Sequence, residues 1–330
     1  MENGERLPIH PHPKRNELLS SWLTRVAHRN QFKVHSFCAT YFGRDKSIWN
    51  RDIDKLSPQW LLQGMSDVTG ISMSELEETT LRSYEHVIYE RLNPQGNTKW
   101  ILPLGVYHRI HRRHGLQYCP LCLAGDDEPY FRKQWRLAFY TMCETHRILL
   151  RDSCLECDSP VIFYRGDIGY KKQFDVHSMR HCHKCGADLA AGPVKMQHWV
   201  EWQHRLIYLW LLDITWLKWS CRPLPETSYS FLIFDGLHQI CKLLTHHRKL
   251  NESVLYEVER LSGAPEKPIS SVRYPEEYRI QDRHRIIMAA SWLLISWPER
   301  FLTICNTIGI TASSSVRDMI NIPYWYVWKN

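Results

Sequence analysis

The chain has 330 residues, of which 44% are apolar and 23% are charged, and its 42 Lys and Arg exceed its 35 Asp and Glu by seven. This composition excludes a disordered chain, leaves room for two or three domains, and is compatible with nucleic-acid contact without establishing it. The first residues lack the apolar stretch of a secretory signal. The apolar run 206–212 is short and meets Asp213, which favours a buried helix over a membrane span. We therefore expect a cytoplasmic protein with no membrane partner.

The first predicted helix follows Asn16, which is a plausible helix cap. Apolar residues then recur at helical spacing between Leu18 and Ala27 and form one face. Arg25 and His28 are expected on or near the opposite, polar side.

A helix-turn-helix candidate comes next. A helix beginning near Pro58 is followed by the turn 69–71 and by a second helix that Ser72 can cap. In one interpretation the second helix enters a DNA groove, and in the other the pair is a packed helical hairpin.

A basic segment precedes the cysteine-rich region. Residues 107–114 read Tyr-His-Arg-Ile-His-Arg-Arg-His. They form either a solvated helix face or a contact to the phosphate backbone. The segment 130–142 also mixes aromatic and basic residues, and its secondary structure stays open at this point. The candidate contact residues are Arg109, Arg112, Arg113, Arg132 and Lys133.

Eight cysteine and histidine residues then fall into four pairs, each with two residues between its members. This spacing lets one tight turn aim both side chains at a single ion, so that two pairs complete a tetrahedral zinc site. The predicted ligands are Cys119, Cys122, Cys143, His146, Cys154, Cys157, Cys182 and Cys185. We favour sequential pairing, because each set then closes a short loop, over a cross-brace of alternate pairs. Four ligands leave no open position for water, so both zinc ions are expected to be structural.

Neighbouring residues complete this region. His181 and His183 flank Cys182 and are the alternative ligands. Seven of the eleven cysteines lie within 119–185, which indicates reduced thiols on metal rather than disulfides. The acidic run 126–128 is expected to be a solvated turn. No nucleophile–base motif stands out, which favours a binding protein over an enzyme.

The C-terminal part is predicted to be helical and is rich in tryptophan. Helices are expected from Trp199 to Trp216, over 232–244, over 252–261 and around 286–294. A second helix-turn-helix candidate follows Pro298, with its second helix at 313–320. The aromatic tail 322–328 should dock on the fold or on a partner. Four cysteines in apolar settings are expected to be core residues, namely Cys38, Cys221, Cys241 and Cys305.

An ordered series of motifs across roughly the first 190 residues resembles the TniQ family of transposition target-selection proteins. The motifs are Leu7-Pro8, the segments 17–27, 100–105 and 114–123, Trp135-Arg-Leu, Cys143-x-x-His146, the segment 148–154 and the segment 182–189. Trp297-Pro298 and the segment 323–325 look like a weaker continuation.

The resemblance implies a mainly α, multidomain chain. Its parts would be an N-terminal helix-turn-helix domain (1–106), a central double zinc-finger region (107–192) and a helical C-terminal domain (193–330). It also implies an adaptor that links a CRISPR Cascade complex or target DNA to the AAA+ regulator TnsC, with homodimer formation and association with the nucleoid. The rival hypothesis is a stand-alone sequence-specific DNA-binding protein that marks a fixed site. A zinc-dependent nuclease is a more distant third.

Overall fold

A computed structural model describes residues 6–169, 179–196, 202–217, 229–245, 254–263, 269, 272, 274–317 and 319–327. These residues are mainly helical, as expected, with one two-stranded antiparallel sheet among them. The helices are α1 (Leu19–Arg29), α2 (Val34–Phe42), α3 (Ile53–Leu56), α4 (Gln59–Thr69), α5 (Met73–Glu77), α6 (Pro120–Gly125), α7 (Trp202–Leu217), α8 (Ser230–Leu244), α9 (Val254–Leu261), α10 (Ile280–Leu294), α11 (Glu299–Ile308) and α12 (Ala312–Ser315). The strands are β1 (Val106–Tyr107) and β2 (Ile110–His111). No helix among the described residues is both long and apolar enough to cross a membrane.

Helix α1 is the centre of the N-terminal helices. All of its residues from Leu19 to His28 are buried, so the one-sided helix predicted from the apolar face is wrong. Arg25 is only 2% exposed and donates hydrogen bonds to Glu17 and Glu128. Asn16 is not the cap either, because its φ is 58° and no side chain caps α1. Ion pairing inside the core therefore buries the side that the sequence marks as polar.

The first helix-turn-helix candidate has its predicted order of elements. Helix α4 ends at Gly70 in the left-handed region, and the Ser72 side chain accepts a hydrogen bond from the Glu75 backbone N–H at 3.3 Å. Helix α5 has only five residues, and its Leu76 is buried. The pair does not by itself establish a DNA reader, and that role stays a prediction.

The second candidate differs from its prediction. The helix expected over 313–320 is limited to α12, whose four residues are capped by Thr311. Ile320 is 98% exposed beyond it. The serine-rich sequence forms hydrogen bonds back to its own backbone, which compete with helix propagation.

The C-terminal helices dock on the rest of the chain. Helix α10 packs against α7, α8 and α9. Glu276 accepts a hydrogen bond from the Trp100 backbone N–H, and the Trp100 indole donates to the Phe234 carbonyl at 2.9 Å. Arg279 pairs with Asp152 across a long chain separation. These contacts join the C-terminal helices both to the N-terminal part and to the cysteine-rich region.

The aromatic tail lies against α8, in agreement with its predicted docking. Trp325 and Tyr326 are buried, and the Trp325 indole donates to the Leu232 carbonyl at 3.1 Å. Gly236 admits the ring, because a Cβ there would lie 2.1 Å from the Trp325 indole. Trp199, Cys221 and Trp328 lie outside the described residues.

Candidate metal centres

The eight predicted ligands converge in two groups of four. The first group contains Cys119, Cys122, Cys143 and His146, and the second contains Cys154, Cys157, Cys182 and Cys185. Within each group the ligand atoms all lie within 4.8 Å of one another. The grouping is the predicted sequential one, because the first two pairs form one group and the last two pairs form the other. His181 and His183 belong to neither group.

The distances within the groups match the edges of a tetrahedron around one ion. With a metal–sulphur distance of about 2.3 Å and a metal–nitrogen distance of about 2.0–2.1 Å, two sulphurs should be about 3.8 Å apart and a sulphur and a nitrogen about 3.5 Å apart. The Cys122 and Cys143 sulphurs are 3.7 Å apart, and the His146 Nδ1 lies 3.4 Å from the Cys119 sulphur. In the second group, the Cys154–Cys185 and Cys157–Cys182 sulphur pairs are separated by 3.6 and 3.7 Å.

These separations have two chemical consequences. A disulfide requires about 2.05 Å between sulphurs, so the thiols are spaced for coordination and not for oxidation. Three sulphurs with one imidazole, and four sulphurs, are the donor sets of closed tetrahedral sites. Each group could hold one metal ion with no coordination position left for a substrate.

Three of the four pairs share one backbone turn. In each, the first cysteine N–H donates to the carbonyl five residues later, and its own carbonyl accepts from the N–H four residues later. This pattern begins at Cys143, Cys154 and Cys182. The residue four positions after the first cysteine has a positive φ in every case, namely Arg147 (55°), Asp158 (51°) and Gly186 (76°). The remaining pair differs, because Cys119 caps α6 and accepts from the Cys122 N–H at 3.4 Å.

The spacing predicts a tight turn at each pair, but the left-handed residue of that turn was not anticipated. Only Gly186 carries the residue type that signals a left-handed backbone, whereas Arg147 and Asp158 give no such signal. The equal spacing of the pairs was the available clue.

The thiols of the first group influence one another. Hydrogen bonds from Cys119 and Cys122 lower the pKa of Cys143 to about 2. Hydrogen bonding to Cys119 and Cys143 raises the pKa of Cys122 instead. One thiolate is therefore favoured by the cluster itself, whereas holding three thiolates together requires a cation among them.

The two groups differ in exposure. Each group has two buried ligands and one half-buried ligand, and the groups differ at the fourth, because His146 is half-buried whereas Cys185 is exposed. Arg151 lies in the chain between the groups, and its guanidinium donates to the carbonyls of Leu189 and Ala191 at 3.1 and 2.6 Å. Arg151 thereby links residues 189–191, which follow the second group, to the segment that connects the two groups.

The solvated turn predicted for the acidic run 126–128 is wrong for Asp126 and Glu128, whereas Asp127 is exposed. Glu128 is 6% exposed and accepts hydrogen bonds from Arg25 Nη1 at 2.7 Å and from Arg29 Nε at 2.9 Å. Asp126 forms a bidentate pair with Arg132. The loop between the first two ligand pairs is thereby fixed to α1 by the buried pair of Glu128 with Arg25 and by its pair with the more exposed Arg29.

The five candidate contact residues separate into exposed and enclosed sets. Arg132 is held by Asp126 and lies over the Tyr130 ring at 4.0 Å, and Lys133 is buried with its Nζ donating to Ser83. Because these two side chains serve the interior, their expected place on a contact surface is not supported. Arg113 pairs with Glu277 at 2.5 Å.

Arg109 and Arg112 lie instead on an exposed hairpin formed by β1 and β2. The segment is thus a strand hairpin and not the helix face that the sequence allows. No ion pair joins either arginine to an acidic residue in the part of the chain that the structure describes.

Comparison with known proteins adds one finding. Residues 8–150 match the model of the TniQ family. This span includes the whole of the first metal group and ends before the second. No curated protein matches the chain.

Proposed function

We propose that this chain, whose residues 8–150 match the model of the TniQ family, is the target-selection adaptor of a transposition system. The family implies a transposition-associated, target-selecting role. In the proposed form of that role, the chain links a CRISPR Cascade complex or target DNA to a TnsC-like AAA+ ATPase, and so to the transposase. The observation that carries the proposal is the family match over the span that contains α1, the hairpin and the first metal group.

We propose that both metal groups hold Zn²⁺. Mixed sulphur and imidazole donors at tetrahedral spacing suit zinc, which has no geometric preference of its own. The ion supplies crosslinking, since binding of this kind contributes about 10–16 kcal/mol in small zinc modules. Metal analysis of the purified chain should find two zinc ions per chain. One ion, or iron in place of zinc, would contradict the assignment.

The proposed adaptor is not an enzyme. Each metal group offers four protein ligands to one ion, and Asp126 and Glu128 pair with arginines. A two-metal nuclease needs carboxylates that converge on open metal positions.

The same proposal divides the chain at 106 and 192. Residues 1–106 and 193–330 would carry recognition surfaces, and 107–192 would brace them. Homodimer formation and nucleoid association are parts of the proposal that follow from the family alone.

The test is recruitment. The tagged chain should retain the ATPase of its own mobile element, and either the Cascade complex or target DNA, in a pull-down. Transposition should stop when the chain is omitted. The adaptor function would be refuted by transposition in the absence of the chain. It would also be refuted by a chain that retains neither the ATPase nor any target complex.

The second candidate function, a stand-alone DNA-binding protein at a fixed site, is favoured by the exposed arginines of the hairpin. It requires a sequence-specific footprint from the chain alone. A footprint that appears only when Cascade is present would reject this candidate and support guided targeting.

A further inference from the structure

The hairpin 105–113 has one inner and one outer face. His111 is on the inner face, where it is 5% exposed and its Nδ1–H donates to the Val161 carbonyl at 3.0 Å. The Tyr164 hydroxyl donates to the Arg109 carbonyl at 3.2 Å. Backbone hydrogen bonds from Arg112 to Gly105 and from Arg113 to Leu104 continue the pairing of the two strands away from the tip. The hairpin is therefore held rigidly along its inner face.

The outer face is aromatic, apolar and cationic. Tyr107 and Ile110 are cross-strand partners and are 51% and 46% exposed. The Arg112 guanidinium lies 3.7 Å from the centre of the Tyr107 ring, in the diagonal cross-strand position. His108 and Arg109 are exposed at the tip. Nothing in the described chain covers these side chains.

The tip conformation is unfavourable for its residues. His108 and Arg109 have φ of 46° and 65°, the pair of left-handed angles that a two-residue hairpin turn normally assigns to Asn-Gly. A long side chain is strained in this region, and such strain is concentrated at functional sites. Asn-Gly would fold this turn more easily, so the turn itself does not account for His108 and Arg109.

The exposed charges of the hairpin are cationic. Asp167 lies close to His35, as Arg109 and the half-buried Arg165 do, but it is 1% exposed and accepts a hydrogen bond from the Val34 backbone N–H at 2.7 Å. Glu277 is the acid beside the hairpin base, and Arg113 neutralises it. A polyanion is thus the complementary partner.

We infer that this hairpin is a duplex-DNA contact, with Arg109 and Arg112 on phosphates and the outer face of the ribbon in a groove. A two-stranded ribbon fits the major groove of B-DNA, which is about 12 Å wide, whereas the major groove of A-form RNA is too narrow to admit one. Arg112 is positioned by the Tyr107 ring, so its guanidinium is ordered before DNA arrives. The inference rests on the proposed function only for the presence of DNA at the target.

The sharpest variant replaces the tip by the residues that the turn prefers, His108→Asn with Arg109→Gly. The full chain should keep or raise its urea midpoint, because the strain is relieved. Its affinity for duplex DNA should fall about eightfold at 0.1 M salt, since affinity scales with salt to about the power −0.9 per phosphate contact. Adding Arg112→Gln should lower the affinity again by a similar factor. Each step should reduce the magnitude of the slope of log affinity against log salt concentration by about 0.9.

Arg44→Ala is the matched control, because Arg44 is also exposed but lies on the loop after α2. Its slope should equal that of the original chain. Wild-type protein that binds no duplex DNA at 50 mM salt, or a tip variant with unchanged slope and affinity, would overturn the inference. So would preference for duplex RNA or single-stranded DNA over duplex DNA. A tip variant that loses DNA binding but still retains the ATPase would support the hairpin inference. A wild-type chain that binds DNA but does not retain the ATPase would contradict the adaptor function and leave the hairpin inference standing, so the two proposals can fail separately.

Discussion

Replacing Glu128 by Gln should strongly destabilise the chain. Glu128 lies between two arginines, and its carboxylate accepts from Arg25 at 2.7 Å and from Arg29 at 2.9 Å. Arg25 is 2% exposed, and Glu17 is its other ion-pair partner. The substitution keeps the shape of the side chain but leaves the buried Arg25 with half of its compensating charge.

The magnitude follows from the two contacts. The buried charge-assisted hydrogen bond to Arg25 contributes about 1.5–3 kcal/mol. The bond to Arg29 adds only about 0–1 kcal/mol, because that side chain is 45% exposed. Complete loss of a partner from a buried pair costs about 3–5 kcal/mol, and Glu17 still satisfies part of Arg25. We expect a loss of about 2–4 kcal/mol in the free energy of unfolding.

Urea unfolding at pH 7, followed by tryptophan fluorescence with zinc present, measures this loss. Although burial opposes it, Arg29 and Arg25 hold the pKa of Glu128 below its usual range. The contribution is therefore present above the unfolded pKa of about 4.3 and disappears as the pH falls through the lower folded value. Glu90→Gln is the control, since Glu90 is an exposed glutamate, and it should change stability by less than about 0.5 kcal/mol. A loss below about 0.5 kcal/mol for Glu128→Gln would refute the buried network as a stabilising element.

Three further changes have distinct outcomes. Cys119→Ser should reduce the zinc content from two ions to one and lower the melting temperature, as measured by metal analysis and circular dichroism, because one ligand of a buried closed site is lost. Gly236→Ala should destabilise the chain by about 1–3 kcal/mol and increase tail exposure to proteolysis, since its methyl group meets the Trp325 ring. Burial lowers the pKa of His111 to about 3, so its neutral form stabilises the fold above pH 6.5 and this contribution falls at lower pH by about 1.4 kcal/mol per unit. His111→Gln should therefore lose about 1.4 kcal/mol less stability than the original chain between pH 7 and 5.5, measured by urea unfolding.

Each change has an opposite result that would contradict its reasoning. Retention of two zinc ions by the Cys119 variant would reject that ligand. Gly125→Ala is the control for Gly236, because a Cβ at Gly125 meets nothing within 4 Å. Equal effects at both glycines would show that the tail contact is unimportant. If the His111 variant loses as much stability between pH 7 and 5.5 as the original chain, this histidine does not titrate with folding.

The metal groups were the most predictable part of the site. Paired ligands at a fixed spacing limit the chain to a few turns, and short loops favour joining neighbours over alternates. The chain order of Cys119 to Cys185 therefore anticipates their grouping in space. The helices between Ser230 and Ile308 were also close to expectation, since their apolar spacing extends over several turns.

Long-range charge pairing was not predictable. Glu128 and Arg25 are 103 residues apart, and each alone looks like a solvated charge. The hairpin was missed for a local reason, because His108 and Arg109 stand where a turn signal would be expected. Composition marked this segment as basic, but only the backbone shows which of its arginines face outward.

Unequal burial sets the order in which the two groups would exchange metal. A chelator displaces ligands one at a time, and the exposed Cys185 offers it a first step, whereas the corresponding ligand of the first group, His146, is half-buried. The second group should therefore exchange its ion faster than the first. Under zinc limitation we expect a half-loaded chain that keeps the ion of the segment matching the TniQ model and loses the ion of the second group.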